Sequence, residues 1–129
     1  LQVQKKVMFL KGFSLAFISI SMGAVGQLLL KIGADKIGSL SFSADSFFSD
    51  ILKIIKTPQI LGGMVFFGVS SLLWIKVLTR AELSLVYPLV SLSYIIVAVL
   101  SYLVLRENFT MQKILGIAVI IFGVLVLNN

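Results

Sequence analysis

Four long apolar stretches occupy most of this 129-residue chain: Gly12 to Leu30, Thr57 to Ile75, Leu83 to Leu105 and Ile114 to Leu127. Three of them run nineteen residues or more without a charged side chain. At about 1.5 Å of rise per residue, each of these three is long enough to cross a hydrocarbon layer of about 30 Å as a helix. Backbone amides find no water in that layer, so a helix, which bonds them internally, is the form such a stretch must take. The pattern predicts an all-α, multi-pass membrane protein: one four-helix transmembrane domain over 1–129, with helices over about 8–32, 57–79, 83–105 and 110–127.

Apolar residues make up 59% of the chain and charged residues 12%, too little polar surface for a water-soluble domain. The net charge of +6 does not point to nucleic acid. The basic residues stand singly or in pairs at the ends of apolar runs, as membrane anchors do, where they also favour anionic lipid head groups. Cysteine and histidine are both absent, which removes disulfides, thiol chemistry and the usual zinc sites. The start Lys5-Lys6 followed by an apolar run resembles a signal peptide in outline, but that run is too long for one and leads into further spans, so it reads as the first membrane helix.

The fourth stretch is the shortest and reaches full length only if Phe109 to Lys113 forms its first turn, with Thr110 as N-cap. Its end at Asn128-Asn129 is abrupt, and an even number of spans puts both termini on one side. In the long connection between the first two stretches, Phe47, Phe48, Ile51, Leu52, Ile54 and Ile55 recur at helical spacing, with Asp45, Ser49, Asp50, Lys53 and Lys56 elsewhere. This describes an amphipathic helix over about 44–56 lying at head-group level; the same pattern fits a loop helix packed on the bundle. Pro58 suits the first turn of the second span.

Orientation follows the Lys/Arg bias between loops. Lys5, Lys6, Lys11, Lys76 and Arg80 fall on one side, and Lys31, Lys36, Lys53, Lys56, Arg106 and Lys113 on the other, which is almost no bias. Such balance permits insertion both ways and an antiparallel pair of subunits; a partner subunit or an accessory factor fixes one orientation equally well.

In lipid, small residues that let backbones approach mark the packing faces. Gly12, Ala16, Ser19, Gly23, Gly26 and Gln27 form such a stripe on the first span, continuing to Lys31. Ser84, Tyr87, Ser91, Tyr94, Ala98 and Ser101 form one on the third. These two faces are expected to meet or to line a shared cavity. Gln27 is an amide deep within a span; against lipid it would waste its hydrogen-bonding groups at several kcal/mol, so it is expected to point inward. With Lys31 one turn further on, it offers hydrogen bonds and a positive charge to an anionic head group. The plainer reading is that Gln27 bonds a neighbouring helix and Lys31 snorkels to the interface. Tyr87-Pro88 weakens the backbone bonding of the third span, as a helix lining a cavity tolerates, or else Pro88 is first-turn chemistry.

Ser70 and Trp74 share a face of the second span; Trp74 serves either as an interfacial anchor or as part of the site. Glu82 with Arg80, and Glu107 with Arg106, read as interfacial ion pairs worth at most about 1 kcal/mol each. Gly116 and Gly123 share a face of the fourth span, a helix-pairing or dimerisation surface. The candidate substrate-binding set is therefore Gln27, Lys31, Tyr87, Ser91, Tyr94 and Trp74. No catalytic constellation, metal site or cofactor motif is visible, so the chain does not read as an enzyme.

At Gly26-Gln27 with Lys31, Tyr87-Pro88, Ser91-Leu92, and Gly116 through Gly123-Val124, the chain resembles the small four-helix branch of the drug/metabolite transporter superfamily, the small multidrug resistance and EamA-like proteins. Within that branch the stretches Val25-Gly26-Gln27 and Tyr87-Pro88-Leu89-Val90-Ser91-Leu92, with Glu107 beyond, are most similar to the subunits of the flippase for aminoarabinose linked to undecaprenyl phosphate. The multidrug exporters carry a first-helix glutamate that exchanges protons for cations, and here Gly23 stands at that position. The resemblance implies a transporter of a polyprenyl-phosphate-linked sugar or similar anionic glycolipid, working with membrane lipids in the cytoplasmic membrane of a prokaryote. It further implies a homodimer or a heterodimer with a similar small subunit, the fourth-span glycines forming the contact. A multidrug-type exporter of small solutes and a non-transporting subunit of a glycolipid-modifying complex are the alternatives.

Overall fold

The computed structural model describes residues 2–127, with side chains from Phe13 onward. The anchors Lys5, Lys6 and Lys11, Gly12 of the small-residue stripe and the Asn128-Asn129 end lie outside the residues described to that level. The described chain is helical throughout its ordered elements: α1 (Gln2–Ile37), α2 (Phe47–Lys56), α3 (Pro58–Leu78), α4 (Leu83–Leu105) and α5 (Met111–Leu127). Within α4 the winding changes from an α turn to a 3-10 segment at Tyr87–Ser91, back to α over Leu92–Leu100 and to a π turn at Ser101–Leu105. Pro88 begins the 3-10 segment, where its missing N–H costs no α-helical bond.

Three helices are long and apolar enough to cross a membrane: Phe13–Ile37 of α1, Pro58–Leu78 and Leu83–Leu105. α5 is apolar but has only 17 residues, about 26 Å of helix. It starts one residue after Thr110, whose hydroxyl oxygen accepts the Lys113 N–H at 3.3 Å as an N-cap does.

α1 and α3 form the closest helix pair, antiparallel and glycine-seamed. A Cβ built on Gly26 would lie 3.0 Å from the Gly63 carbonyl oxygen, and one on Gly63 would lie 2.9 Å from the Gly26 oxygen. A Cβ on Gly33 would collide with the Ile60 side chain. Midway along, Ser19 and Ser70 exchange hydrogen bonds. The small-residue stripe of the first span therefore packs on the second span and not on the third, while its Gln27 and Lys31 share a cavity with Ser101 of the third, the other form of that expectation. The physical cause is the match of glycines on α1 and α3.

The apolar core gathers at one end of the bundle, where Ala16 and Ile20 of α1, Val77 of α3, Val86 and Leu89 of α4 and Val124 of α5 pack together. Toward the other end α1 and α3 stay in contact at Gly33 and Ile60, and the open space lies between α1 and α4.

α2 is held by its own loop. Asp50 is buried and accepts the Phe42 N–H at 2.9 Å and the Ser46 hydroxyl at 3.1 Å, with Lys53 at 3.9 Å. The Phe42 N–H, then the Ser46 hydroxyl and the Lys53 ammonium, hold the Asp50 carboxyl below its ordinary value, although burial acts the other way. This contact needs Phe42 in the left-handed region at φ 49° and sets its ring 6.2 Å from that of Phe47. On α2, Phe48 and Ile55 are exposed and Ile51 and Ile54 half-buried, with Phe42 of the loop exposed beside them.

Candidate functional site

α1, α3 and α4 enclose a cavity of about 370 Å³ in the middle of the bundle. Its polar lining is Ser19, Gln27, Ser70, Ser71 and Ser93, with Trp74 among the apolar walls. Gln27 reaches it because Gly26 and Gly23 turn toward α3 and leave the next side chain on the flank that faces α4. A second cavity of about 230 Å³ continues from Gln27 to Lys31, Ser101 and Glu107. Gln27 and Val97 line both. The result is one cleft that runs from the packed core toward the end of the bundle where α1 and α4 finish.

The floor of the cleft is the Ser19–Ser70 contact. Both hydroxyls are spent on backbone carbonyls, so what remains for a ligand is Gln27, Ser71, Ser93 and Ser101. At the far end Lys31 is paired with Asp35 at 2.9 Å, and Glu107 stands across the same cavity. This end of the cleft therefore carries charges of both signs.

The candidate residues separate. Gln27, Lys31 and Trp74 come together around the cleft. Gln27 lines both cavities and is exposed. Tyr94 is not in the cleft; it lines a groove between α4 and α5. Tyr87, 65% exposed, lies on the outer surface at the packed end, and Ser91 beside it is half-buried outside both cavities. The 3-10 winding rotates this part of α4, so Ser93 and Val97, rather than Ser91 and Tyr94, face Gln27.

Glu107 corrects another expectation. Among the described residues the ion pairs are Lys31–Asp35 and Lys53–Asp50, so neither Glu107 with Arg106 nor Glu82 with Arg80 is one. Arg106 takes a left-handed conformation after the π turn at φ 56°, and Glu107, not Arg106, lines the cleft. Ser101 belongs to the stripe read from the sequence, whereas Ser93 and the cleft-facing place of Glu107 were readable only with the winding of α4 in hand. At Gly23 a Cβ would sit 3.2 Å from the Ser70 hydroxyl, so a glutamate there would disturb the serine contact. Gly116 and Gly123 are open: a Cβ on either meets nothing within 4 Å.

The model of the EamA-like transporter family matches residues 3–129. Among curated relatives, the chain is 30% identical over 121 residues to the probable 4-amino-4-deoxy-L-arabinose-phosphoundecaprenol flippase subunit ArnF of Sodalis glossinidius, covering 90% of this chain and 89% of that protein. It is 32% identical over 117 residues to the protein of the same name from Proteus mirabilis, covering 88% of each. It is 28% identical over 107 residues to the probable subunit ArnE of the same flippase in Pseudomonas fluorescens, covering 79% of this chain and 94% of that one. No solved structure matches.

Proposed function

Because this chain belongs to the EamA-like transporter family, we propose that it moves a polyprenyl-phosphate-linked sugar, or a similar anionic glycolipid, from one leaflet to the other. The chain is a multi-pass bacterial membrane protein of a transporter family, and its relatives named above are flippase subunits.

The observation that carries the reading is the cleft itself, lined by Gln27, Ser93, Ser101, Lys31 and Glu107, open at one end and stoppered at the other by Val77, Val86, Leu89 and Val124. Polar side chains between membrane helices are costly unless they serve a passage or a partner. In this reading a head group enters at the Lys31 end, where the ammonium takes its phosphate. The serines and Gln27 then replace the water that its sugar hydroxyls lose. The 3-10 segment at Tyr87–Ser91 lies in the stopper, and such a mid-helix change of winding is where a helix bends most readily. Bending there would open the packed end and close the other.

The chain spans the membrane four times in this proposal, α5 crossing with help from its interfacial first turn, and α2 lies at the head groups. It resides in the cytoplasmic membrane and pairs with a second copy or a similar small subunit through Gly116 and Gly123. Leaflet translocation of a fluorescent polyprenyl-phosphate sugar in proteoliposomes tests the reading. Wild type is expected to accelerate it, and Gln27→Ala and Lys31→Gln to slow it; equal rates in all three would remove the site.

One observation favours a second reading. Glu107 in the cleft is a counter-charge for a cation, as a multidrug-type exporter requires. Resistance to quaternary ammonium compounds that depends on Glu107, with no glycolipid movement, would select it.

A further inference from the structure

α4 ends irregularly, and the irregularity falls between two spaces. The π turn Ser101–Leu105 directs the Arg106 and Glu107 N–H groups to the one Ser101 carbonyl, the second at 3.2 Å. A π turn carries one residue more than an α turn and weakens the helix, and such turns concentrate where a site needs the extra width. On one side of Ser101 lies the polar cavity of Gln27 and Lys31. On the other, a groove of about 360 Å³ runs between α4 and α5, floored by Ala98, Ile117 and Ile120. Val97, Ser101 and Glu107 line both spaces.

The groove is apolar along its length and charged where it joins the cavity. Lys113 stands at that junction, its ammonium donating to the Asn108 carbonyl at 3.0 Å. Tyr94 and Tyr102 border the trough and are exposed on its outer side, so it opens sideways from the bundle. An apolar trough ending between Lys113, Glu107 and Lys31 has the chemistry of an amphiphile with a phosphate between tail and head. A second protein helix would place an apolar face along the trough but would leave the charges at its end unanswered.

We propose that the groove between α4 and α5 holds the hydrocarbon chain of a lipid phosphate, whose head group reaches the Gln27–Lys31 cavity past Ser101. The proposal rests on the lipid-transport reading above and adds where the chain lies. A hydrocarbon chain gains little by leaving lipid for an apolar groove. The groove therefore orients the molecule, keeping the phosphate at Ser101 while the head turns inward.

The test uses the full chain in nanodiscs and dodecyl phosphate carrying a diazirine at the far end of its alkyl chain. Photolabelling of the wild type is expected to fall on Ala98, Ile117 and Ile120 and to be competed away by polyprenyl phosphate. Ala98→Trp and Ile117→Trp fill the trough and are expected to weaken dodecyl phosphate binding roughly tenfold, since the side chain excludes the alkyl chain. Label spread evenly over the lipid-facing helices, with glycolipid translocation by the wild type intact, overturns the groove and leaves the transport reading standing. Gly116 of the proposed pairing face borders the trough, so crosslinks there are compatible with the proposal, whereas protein-to-protein crosslinks from Ala98 and Ile117 in place of lipid label overturn it, in favour of a second copy filling the trough. Absence of translocation by the wild type removes the transport reading, and the groove with it.

Discussion

Ser19 and Ser70 donate to each other's backbone carbonyls across the α1–α3 seam, Ser19 Oγ at 2.8 Å and Ser70 Oγ at 2.7 Å. The two hydroxyl oxygens are 3.3 Å apart, and Ser19 is fully buried. The contact satisfies two polar groups without water and fixes the axial register of the two helices that form most of the cleft wall.

Interhelical hydrogen bonds in membranes contribute about 0.6 kcal/mol on average and up to about 1.7. Ser19→Ala and Ser70→Ala are each expected to destabilise the chain by about 0.5–1.5 kcal/mol, measured by steric trapping in bicelles. The bonds share one geometry, so the double substitution should cost less than the sum of the singles. Strict additivity would mean that the two hydroxyls act independently.

The glycines divide into those that fold the chain and those left for something else. Gly26 and Gly63 bring backbones together at about van der Waals limit, and Gly26→Leu or Gly63→Leu should prevent α1 and α3 from pairing. Gly116→Leu and Gly123→Leu add side chains to open space and should leave the chain folded. If the α5 face pairs subunits, these two variants will lose association in crosslinking while retaining helix content and thermal stability. Loss of folding in the α5 variants would show that the face packs within one chain.

The existence of membrane spans was legible because uncharged length is a one-dimensional property, and Gly12 to Leu30, Thr57 to Ile75 and Leu83 to Leu105 carry it without reference to any neighbour. Which faces meet was not legible. The stripe from Ala16 to Gly26 was visible, but glycines say only that something approaches, and the partner was fixed by Gly63 and Ser70 on another helix. On α4 the reading of shared faces assumed a uniform winding of about 3.6 residues per turn. The 3-10 turn at Tyr87 and the π turn at Ser101 break that period, which is why Tyr87 and Ser91 left the cleft while Ser93 and Glu107 entered it beside Ser101. Asp50 was placed on the polar side of α2 by spacing, yet it is buried, because its partner Phe42 lies in a loop that periodicity does not describe.

Asp50 gives a pH dependence with a definite sign. Its folded pKa lies below the ordinary value of 3.8, so the contact stabilises the loop above that value and is lost as pH falls through the lowered one. The Phe42 amide, followed by NMR in nanodiscs, is expected to keep one chemical shift from neutral pH down to about 4 and to move only in more acid solution. In Asp50→Ala the shift should sit at its acid position throughout. A midpoint above the ordinary carboxyl value would mean that burial outweighs the Phe42 and Ser46 hydrogen bonds.

Lys31 and Asp35 form a pair at 2.9 Å whose side chains are 50% and 57% exposed. An ion pair that open contributes between about 0 and 1 kcal/mol, so it is a weak reason for Asp35 to be there. Its position one turn beyond Lys31 makes it a competitor for the same ammonium that the proposed phosphate needs. Asp35→Asn is therefore expected to change stability by less than about 0.5 kcal/mol while tightening dodecyl phosphate binding several-fold. Lys31→Gln should abolish the gain, and the double variant should bind as weakly as Lys31→Gln alone, because the aspartate acts only through the lysine. Raising salt should shrink the difference between wild type and Asp35→Asn, since both the pair and the phosphate contact are screened at an exposed site. Tighter binding that persists in the double variant would place the anion elsewhere, and the Lys31 end of the cleft would lose its claim to the head group.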